Sequence, residues 1–469
     1  MTTHVELRPG AFADSVTLLQ VSRSVQGLAG VAAAQVAMAT PLNLDVLAGM
    51  GFQIPAGATP NDLIVALRLE DPDALPAALS GVEQALAEAT RRPTTAEEEA
   101  PPRTTAAALR GAPGGVVLVS VPGPNVLPEA MDAVDAGSDV MIFSDNVPLA
   151  EEVALKRAAS DRGVLVMGPD CGTAVLGGVG LGFANVVSPG PVGIVAASGT
   201  GCQQLLCLLD HAGVGVTSAL GVGGRDLSAE VGGLATREAL RRLDEDPTVE
   251  LIVLVSKPPA PEVAAEITAY ADGLGTPVEL ALLGPGQPDL TAAAERVLTR
   301  LGGQVPQWPV VSRQALARLP QPPGPRISGL FVGGTLCQEA RLIAEEALGP
   351  DAGTFVDFGD DAYTAGRAHP MIDPTLRLEE LAKVASDADT GVVLLDVVLG
   401  HGVEPDPAAL LAPAIERLPQ PVVVTVVGTP ADPQVRDRQV RALTAAGAEV
   451  HLSNALATRR AVELLESGR

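Results

Sequence analysis

The sequence predicts a multi-domain α/β protein that contains a duplicated domain. Three observations lead to this prediction. The chain has 469 residues, which is more than one hydrophobic core normally serves. Short β-branched runs alternate with helical patterns along most of it. One strand-turn-helix motif then occurs twice, at residues 192–206 and 329–342.

The first predicted domain, residues 1–90, is a small α/β unit. Strand patterns at 5–7, 31–39 and 63–69 alternate with two helical patterns. Residues 91–112 follow as a charged segment rich in Pro and Thr, and they are therefore predicted to be a linker.

Residues 113–190 are predicted to form a doubly wound domain with a parallel sheet. Three apolar runs, at 116–121, 139–144 and 163–168, are separated by helical patterns. Ligands bind such sheets outside the carboxyl ends of the strands. Each loop there could also be an ordinary turn. The binding candidates are Asn146 for a substrate and Gly168, Pro169, Asp170 and Cys171 for a cofactor.

The duplicated motif predicts two helix ends that bind an anion. In each copy an apolar strand stops at glycines, and a helix with free N–H groups and a partial positive charge follows. A constant offset of 135 residues relates Ser198 to Gly333. The same offset relates Gly224 and Asp226 to Gly359 and Asp361. The predicted phosphate-binding residues are Ser198, Gly199, Thr200, Gly201, Gly223, Gly224, Gly333, Gly334 and Thr335.

The repeat also sets the remaining domain boundaries. Residues 191–302 form the first copy, 303–325 a Pro-rich linker, and 326–469 the second copy. We expect the helices that begin near Gly201 and Leu336 to point their N-termini at a shared cavity.

A polar segment within the second copy, residues 357–377, carries the densest group of charged side chains. A long irregular loop in a compact domain is usually functional, and His369 could act there as a general acid or base. The alternative is a solvated loop whose charges pair with one another. The predicted substrate-binding residues of this segment are Asp360, Arg367 and Asp373.

The composition and the absence of certain sequence patterns argue against nucleic-acid binding, membrane association and metal binding. The net charge of −25 disfavours nucleic acid and anionic membranes as partners. The sequence has no signal-peptide pattern and no apolar run long enough for a membrane span, so a cytoplasmic protein is expected. The four cysteines lack metal-ligand spacing, and no metal site is predicted. Cys202 and Cys337 occupy equivalent positions, where a nucleophile and a buried structural thiol are the two alternatives.

Several motifs in order, FSDN, VMGPDCGT, ASGTG, GGRDLS, VSKPPA, GGTL and DDAYTAGRAHPMIDPTLR, resemble the FdrA family over nearly the whole chain. That family is related to succinyl-CoA synthetase and other NDP-forming acyl-CoA synthetases. The resemblance implies a Rossmann-like CoA-binding-type domain at 113–190 and two flavodoxin-like ligase domains at 191–302 and 326–469.

The sequence departs from the synthetase at its catalytic histidine. The synthetase carries a phosphorylated histidine on a loop that corresponds to residues 281–294, where this chain has none. Lys257 and Gln204 stand where the synthetase has glutamates. The change of charge predicts a pocket for an anion rather than an imidazolium. No ATP-grasp domain is recognisable in the sequence either.

FdrA-type proteins are subunits of a multi-protein oxamate carbamoyltransferase of allantoin catabolism. The resemblance therefore implies phosphorolysis of a ureido acid such as oxalurate to carbamoyl phosphate and oxamate. Lys257 and Arg225 are then the candidate catalytic cations, and His369, oriented by Asp361 or Asp360, is the candidate acid. The implied partners are a small anionic substrate and other subunits of a hetero-oligomer, with phosphate as co-substrate and CoA as a candidate cofactor.

Two alternatives to the transferase stay open. The chain could be a subunit of an NDP-forming acyl-CoA synthetase that works with a separate ATP-grasp chain. It could also be a non-catalytic scaffold that binds CoA or a nucleotide. For Lys257 itself, the alternative to catalysis is a surface lysine paired with a nearby acid.

Overall fold

The computed structural model describes residues 2–90, 102–312, 324–364 and 366–467. They divide into two compact units. The N-terminal unit combines residues from the first 101 positions with Gly359–Asp373, and the main unit comprises Pro102–Phe358 and Pro374–Arg469. The predicted fold class is confirmed, because a small α/β unit begins the chain and mainly parallel sheets alternate with helices after it.

The N-terminal unit is built on a three-stranded antiparallel sheet. Its elements are β1 (Thr2–Arg8), α1 (Ser15–Gln26), β2 (Val31–Met38), α2 (Pro41–Gly49), β3 (Leu63–Leu69) and α3 (Leu75–Thr90). The strand order is β1-β3-β2, so the most apolar strand lies in the centre. The side chains of Asp14 and Thr40 cap α1 and α2 by accepting from backbone N–H groups.

A segment from far along the chain, Gly359–Asp373, belongs to this N-terminal unit. Asn43 Nδ2 donates to the carbonyl oxygen of Gly366 at 2.8 Å, and Arg23 Nη2 donates to that of Ile372 at 3.4 Å. These residues were predicted to lie in the domain 326–469, whereas in the structure they belong to the N-terminal unit.

The main unit begins with a three-stranded parallel sheet. Its elements are α4 (Thr105–Leu109), β4 (Val117–Val119), α5 (Val126–Asp135), β5 (Val140–Ile142), α6 (Leu149–Ser160) and β6 (Val166–Met167). The order is β4-β5-β6, and α5 and α6 bury Val126 and Leu155 against one face. Helix α4 occupies part of the predicted linker 91–112, of which 91–101 lie outside the described residues.

The first repeat contains a six-stranded sheet of order β12-β11-β9-β10-β7-β8. Its elements are β7 (Thr173–Leu176), β8 (Val179–Gly182), β9 (Val192–Ala197), α7 (Gly199–His211), β10 (Val216–Gly221), α8 (Leu234–Glu245), β11 (Leu251–Ser256), α9 (Pro261–Ala271), β12 (Val278–Leu282) and α10 (Leu290–Arg300). Strand β7 pairs antiparallel with β10, next to the edge strand β8. The sheet therefore extends across the boundary predicted at residue 190.

The second repeat contains a six-stranded sheet of order β13-β18-β17-β16-β14-β15. Its elements are β13 (Val310–Val311), β14 (Arg326–Phe331), α11 (Gly334–Leu348), β15 (Gly353–Asp357), α12 (Asp361–Thr364, in the N-terminal unit), α13 (Thr375–Val384), β16 (Thr390–Val398), α14 (Pro407–Ile415), β17 (Val422–Val427), α15 (Arg436–Ala445), β18 (Glu449–His451) and α16 (Asn454–Ser467). Strand β13 lies inside the predicted linker 303–325, of which 313–323 are outside the described residues.

The two repeats share one topology around their first strands. Strand β9 lies between β10 and β11, and β14 lies between β15 and β16, so each marks the point where the strand order reverses. Ligands of doubly wound sheets bind at such points. The two aspartates that the offset relates differ in their surroundings, because Asp226 is buried in the main unit whereas Asp361 is exposed in the N-terminal unit.

Candidate functional site

Helices α7 and α11 begin side by side in the main unit. Ser198 Oγ lies 2.6 Å from Thr335 Oγ1, and it also accepts from the backbone N–H of Gly201 at 2.9 Å as the N-cap of α7. Both hydroxyl residues are buried. The two helices therefore begin next to each other, and the shared cavity predicted in front of them stays a prediction. We refer to this place, residues 198–201 and 333–335, as the helix junction.

Glycines allow the two chains to approach at the helix junction. A Cβ atom at Gly333 would lie 2.8 Å from the Thr200 side chain, closer than Cβ contacts occur in proteins. A Cβ atom at Gly201 would collide with Ser198 Oγ. The glycine-rich loops therefore serve helix-to-helix packing, in addition to any role in binding.

Two opposite charges converge on the first residue of α11. A Cβ atom at Gly334 would lie 2.7 Å from Lys257 Nζ and still closer to Asp357 Oδ2. Lys257 follows β11 directly and is exposed, and Asp357 ends β15. The sequence prediction assigned no role to Asp357. The start of α11 is therefore less cationic than the change at Lys257 alone predicted.

A buried carboxylate supports the loop that precedes α11. Asp396 accepts from the backbone N–H groups of Val332 and Gly333 at 2.8 and 2.9 Å, and Arg377 Nη1 lies 2.9 Å from its Oδ1. Burial raises the pKa of Asp396 to about 6 despite these donors. Asp396 thus occupies backbone donors that an external anion could otherwise use.

The four cysteines are free thiols and all are buried. Desolvation raises the pKa of Cys171 and Cys337 to about 12 and shifts that of Cys202 upward as well. A thiolate is the nucleophilic form of cysteine, and these groups stay protonated at neutral pH. Of the two alternatives, the structure supports the buried structural thiol.

Three loops meet at the carboxyl end of the three-stranded sheet. The N–H of Asp170 donates to the carbonyl oxygen of Ser144 at 3.0 Å, and that of Cys171 donates to Ile142 at 2.9 Å. Asn146 and Asp170 are exposed there. Of the other predicted cofactor-binding residues, Gly168, Pro169 and Cys171 are buried and shape the loop without facing outward.

The loop 222–226 of the first repeat joins this group of loops. Gly223 has a φ of 90°, and a Cβ atom there would lie 2.6 Å from the carbonyl oxygen of Pro169. Arg225 pairs with Glu152 of α6, its Nε lying 2.9 Å from Oε2, and its Nη2 donates to the carbonyl oxygen of Val147. Gly224 is exposed. Arg225, predicted as a catalytic cation, therefore contacts the domain that contains the three-stranded sheet.

The remaining predicted residues lie in the N-terminal unit. Arg367 Nη2 pairs with Asp373 at 3.0 Å, which fits the alternative of a segment whose charges pair with one another. The N–H of Met371 donates to His369 Nδ1 at 3.2 Å, and desolvation lowers the pKa of His369 to about 4. An imidazole with that pKa is uncharged at neutral pH, which does not favour the predicted role as an acid. Asp360 Oδ1 accepts from the N–H of Ala362 at the start of α12, and Asp361 is exposed.

One relative matches this chain over nearly its whole length. The protein YahF of Escherichia coli, described as uncharacterized, is 34% identical, and the match covers 95% of each chain. This chain belongs to the YahF family. Residues 330–464 also match the CoA-ligase family model, and residues 1–102 match the model of the AllF heavy metal-associated domain.

Two further relatives are subunits of succinate–CoA ligases. An ADP-forming succinate–CoA ligase subunit alpha of Archaeoglobus fulgidus is 29% identical over 36% of this chain and 63% of that subunit. A subunit alpha of Methanothermobacter thermautotrophicus is 27% identical over 30% of this chain and 47% of the subunit. The comparisons favour the acyl-CoA synthetase alternative over the carbamoyltransferase that the FdrA resemblance implied.

One solved structure with a similar course of the chain is an acetyl-coenzyme A synthetase of Ca. Korarchaeum cryptofilum in complex with phosphate and ADP. It is 17% identical and covers 80% of this chain and 87% of its own, with a TM-score of 0.32.

The N-terminal unit of this YahF-family chain contains no cysteine. All four cysteines lie in the main unit. Within the described ranges, no three His, Cys, Asp or Glu side chains come close enough to hold a metal ion. In the same ranges, no helix is both long and apolar enough to cross a membrane.

Proposed function

We propose that this chain is the CoA-ligase subunit of an acyl-CoA synthetase. It would bind phosphate or an acyl phosphate at the helix junction and work with a separate nucleotide-binding chain. The observation that supports the proposal most is the 2.6 Å contact between Ser198 Oγ and Thr335 Oγ1. It brings together the starts of two helices, each with a partial positive charge and N–H groups that the helix does not use.

Lys257 brings a positive charge to this junction, beside the negative charge of Asp357. Lys257 follows β11, the neighbour of β9 in the first sheet, and its ammonium reaches the start of α11. There it would offset the charge of a bound phosphate and stabilise the oxyanion that develops when the CoA thiol attacks an acyl phosphate. The sulfur–carbon bond forms, the carbon–oxygen bond to phosphate breaks, and the thiol proton passes to solvent.

CoA would bind at the carboxyl end of the three-stranded sheet. The exposed Asn146 and Asp170 offer polar contacts there, and Arg225 offers a cation for a CoA phosphate. Gly168, Pro169 and Cys171 would set the shape of the loop. The succinate–CoA ligase relatives support CoA as the cofactor.

The test measures thioester formation by the purified chain from CoA and a panel of acyl phosphates. Acetyl and succinyl phosphate should yield thioester, and the rate should fall in Lys257→Met. Adding ATP and a free acid should yield no thioester until a nucleotide-binding subunit is supplied. Failure of every acyl phosphate to react would overturn the proposal.

Carbamoyl transfer is the second candidate, and one observation favours it. Residues 281–294 contain no histidine, so this segment offers no phosphoryl carrier, and an acyl phosphate formed directly from phosphate needs none. Carbamoyl phosphate and oxamate should then yield oxalurate and phosphate in a reconstituted complex, without ATP. CoA binding with no turnover in either assay would favour the scaffold.

A further inference from the structure

Lys156 of α6 is a lysine with no exposed side-chain surface. Its Nζ donates to Glu152 Oε1 at 2.9 Å, to Asp226 Oδ1 at 2.8 Å and to the carbonyl oxygen of Val222 at 2.8 Å. An ammonium has three donors, and all three are used. A charged group this deeply buried persists only when it is paired and fully hydrogen-bonded.

Two of these three acceptors belong to the loop 222–226 of the first repeat. Asp226 is itself fully buried, and its Oδ2 accepts from the N–H and the hydroxyl of Thr236 at the start of α8. Lys156 therefore ties α6 to both ends of the loop that carries Gly223 and Arg225. These partners are distant in sequence, because Val222 lies 66 residues and Asp226 70 residues after Lys156.

The chain of charges continues to the surface through Glu152. Its Oε1 accepts from Lys156, and its Oε2 pairs with Arg225 Nε at 2.9 Å. Asp226, Lys156, Glu152 and Arg225 thus alternate in sign, with two negative and two positive charges. The first three are buried, whereas the Arg225 side chain is 42% exposed.

We propose that Lys156 and Glu152 are positioning residues, which hold the loop 222–226 and present the Arg225 guanidinium to a phosphate-bearing ligand. The ligand class rests on the proposed function, whereas the positioning role rests on the contacts alone. Lys156 fixes the loop through its contacts with the Val222 carbonyl oxygen and the Asp226 carboxylate. Glu152 holds the guanidinium by the ion pair at Nε, the Val147 carbonyl oxygen accepts from Nη2, and neither contact uses Nη1. Arginine is suited to phosphate because its planar donors are rigid once one edge is held.

The first test follows backbone hydrogen exchange in the full chain carrying Lys156→Met. Exchange in residues 222–236 should rise about tenfold or more. In the variant the loop can open without breaking the contacts to Lys156 Nζ, so it opens more often. Exchange in residues 192–206 should stay as in the parent. Lys383→Met is the matched control, since Lys383 is exposed and pairs with Glu380 on its own helix. An equal rise in both segments would show a general loss of stability and overturn the positioning role.

The second test uses Glu152→Gln, which keeps the shape of the side chain and the acceptor for Lys156. An arginine-selective reagent, phenylglyoxal, should modify Arg225 several-fold faster in this variant, because the guanidinium loses its ion pair. Modification of Arg241 and Arg296 serves as the internal reference. Unchanged modification of Arg225 would overturn the proposal. Titration with inorganic phosphate is separate, so failure of phosphate to bind the parent would count against the proposed function alone.

Discussion

Gln204 and Glu339 make equivalent contacts to opposite repeats. Gln204 Oε1 accepts from the backbone N–H of Asn454 at the start of α16, at 3.1 Å. Glu339 Oε1 accepts from the N–H of Leu290 at the start of α10, at 2.7 Å. The two residues are separated by the same offset of 135 as the glycine motifs. Each repeat therefore caps the last helix of the other. Through these contacts α7 is joined to the start of α16, and α11 to the start of α10.

The difference between amide and carboxylate predicts a pH effect. Burial raises the pKa of Glu339 to about 7 from its ordinary value of 4.5. A folded state that holds a proton more tightly than the unfolded chain loses stability as the pH rises between these two values. Glu339→Gln should remove this loss, so its free energy of unfolding relative to the parent should increase from pH 4.5 to pH 7 by up to about 3 kcal/mol.

Thermal and urea unfolding across this pH range provide the measurement. Glu346→Gln, the same substitution on the exposed side of the same helix, is measured beside it as the control. A pH-independent difference between Glu339→Gln and the parent would refute the assignment of this titration.

Close packing at the helix junction makes Gly333 irreplaceable. In Gly333→Ala the new methyl group would meet the Thr200 side chain at 2.8 Å, so the two helix starts must separate. We expect a loss of stability of about 1–3 kcal/mol, as for an overpacked core, and a weaker affinity for phosphate. Gly284→Ala is the matched control, since its methyl group would make an ordinary 3.5 Å contact with Gln287. Equal phosphate affinity and stability in both variants would contradict the packing argument.

The sequence predicted the junction well because its signals are local. The strand runs before Ser198 and Gly333 are apolar, and the turn and helix follow within a few residues. Contacts between distant residues could not be predicted in this way. Lys156 reads as one charge on a helix, and its partner Asp226 is 70 residues away. The equivalence of Glu339 to Gln204 could be predicted, because the offset of 135 relates the two positions.

The same limitation explains why the place of segment Gly359–Asp373 in the N-terminal unit was not predicted. Its charges suggested a site within the second repeat, yet Asn43, 323 residues from Gly366, holds it in the N-terminal unit. No periodicity or spacing in a single sequence carries such a contact.

Asn43 is therefore expected to control the order of that segment. In Asn43→Ala the carbonyl oxygen of Gly366 loses its 2.8 Å donor, and Met38 loses the other N–H of the same amide. Hydrogen exchange in residues 366–373 should rise several-fold while α3 stays protected. Gln84→Ala, which removes an exposed contact to Glu88, is the control. Unchanged exchange in the segment would mean that its other contacts suffice.

Lys257 bears most directly on the proposed anion at the helix junction. Lys257→Met removes the ammonium that reaches Gly334, and turnover should fall about a hundredfold or more, the scale of losing one oxyanion donor. Lys257→Glu should be worse than Met, because it adds repulsion to the lost attraction. Stability should change little in either variant, since the side chain is exposed.

The most direct measurement is a calorimetric titration of inorganic phosphate into the parent and into Lys257→Glu, at low ionic strength and neutral pH. We expect the parent to bind phosphate and Lys257→Glu to bind it with at least about tenfold lower affinity, since a like charge replaces an opposite one at short range. Equal affinity in the two proteins, with both folded, would contradict an anion site at the helix junction.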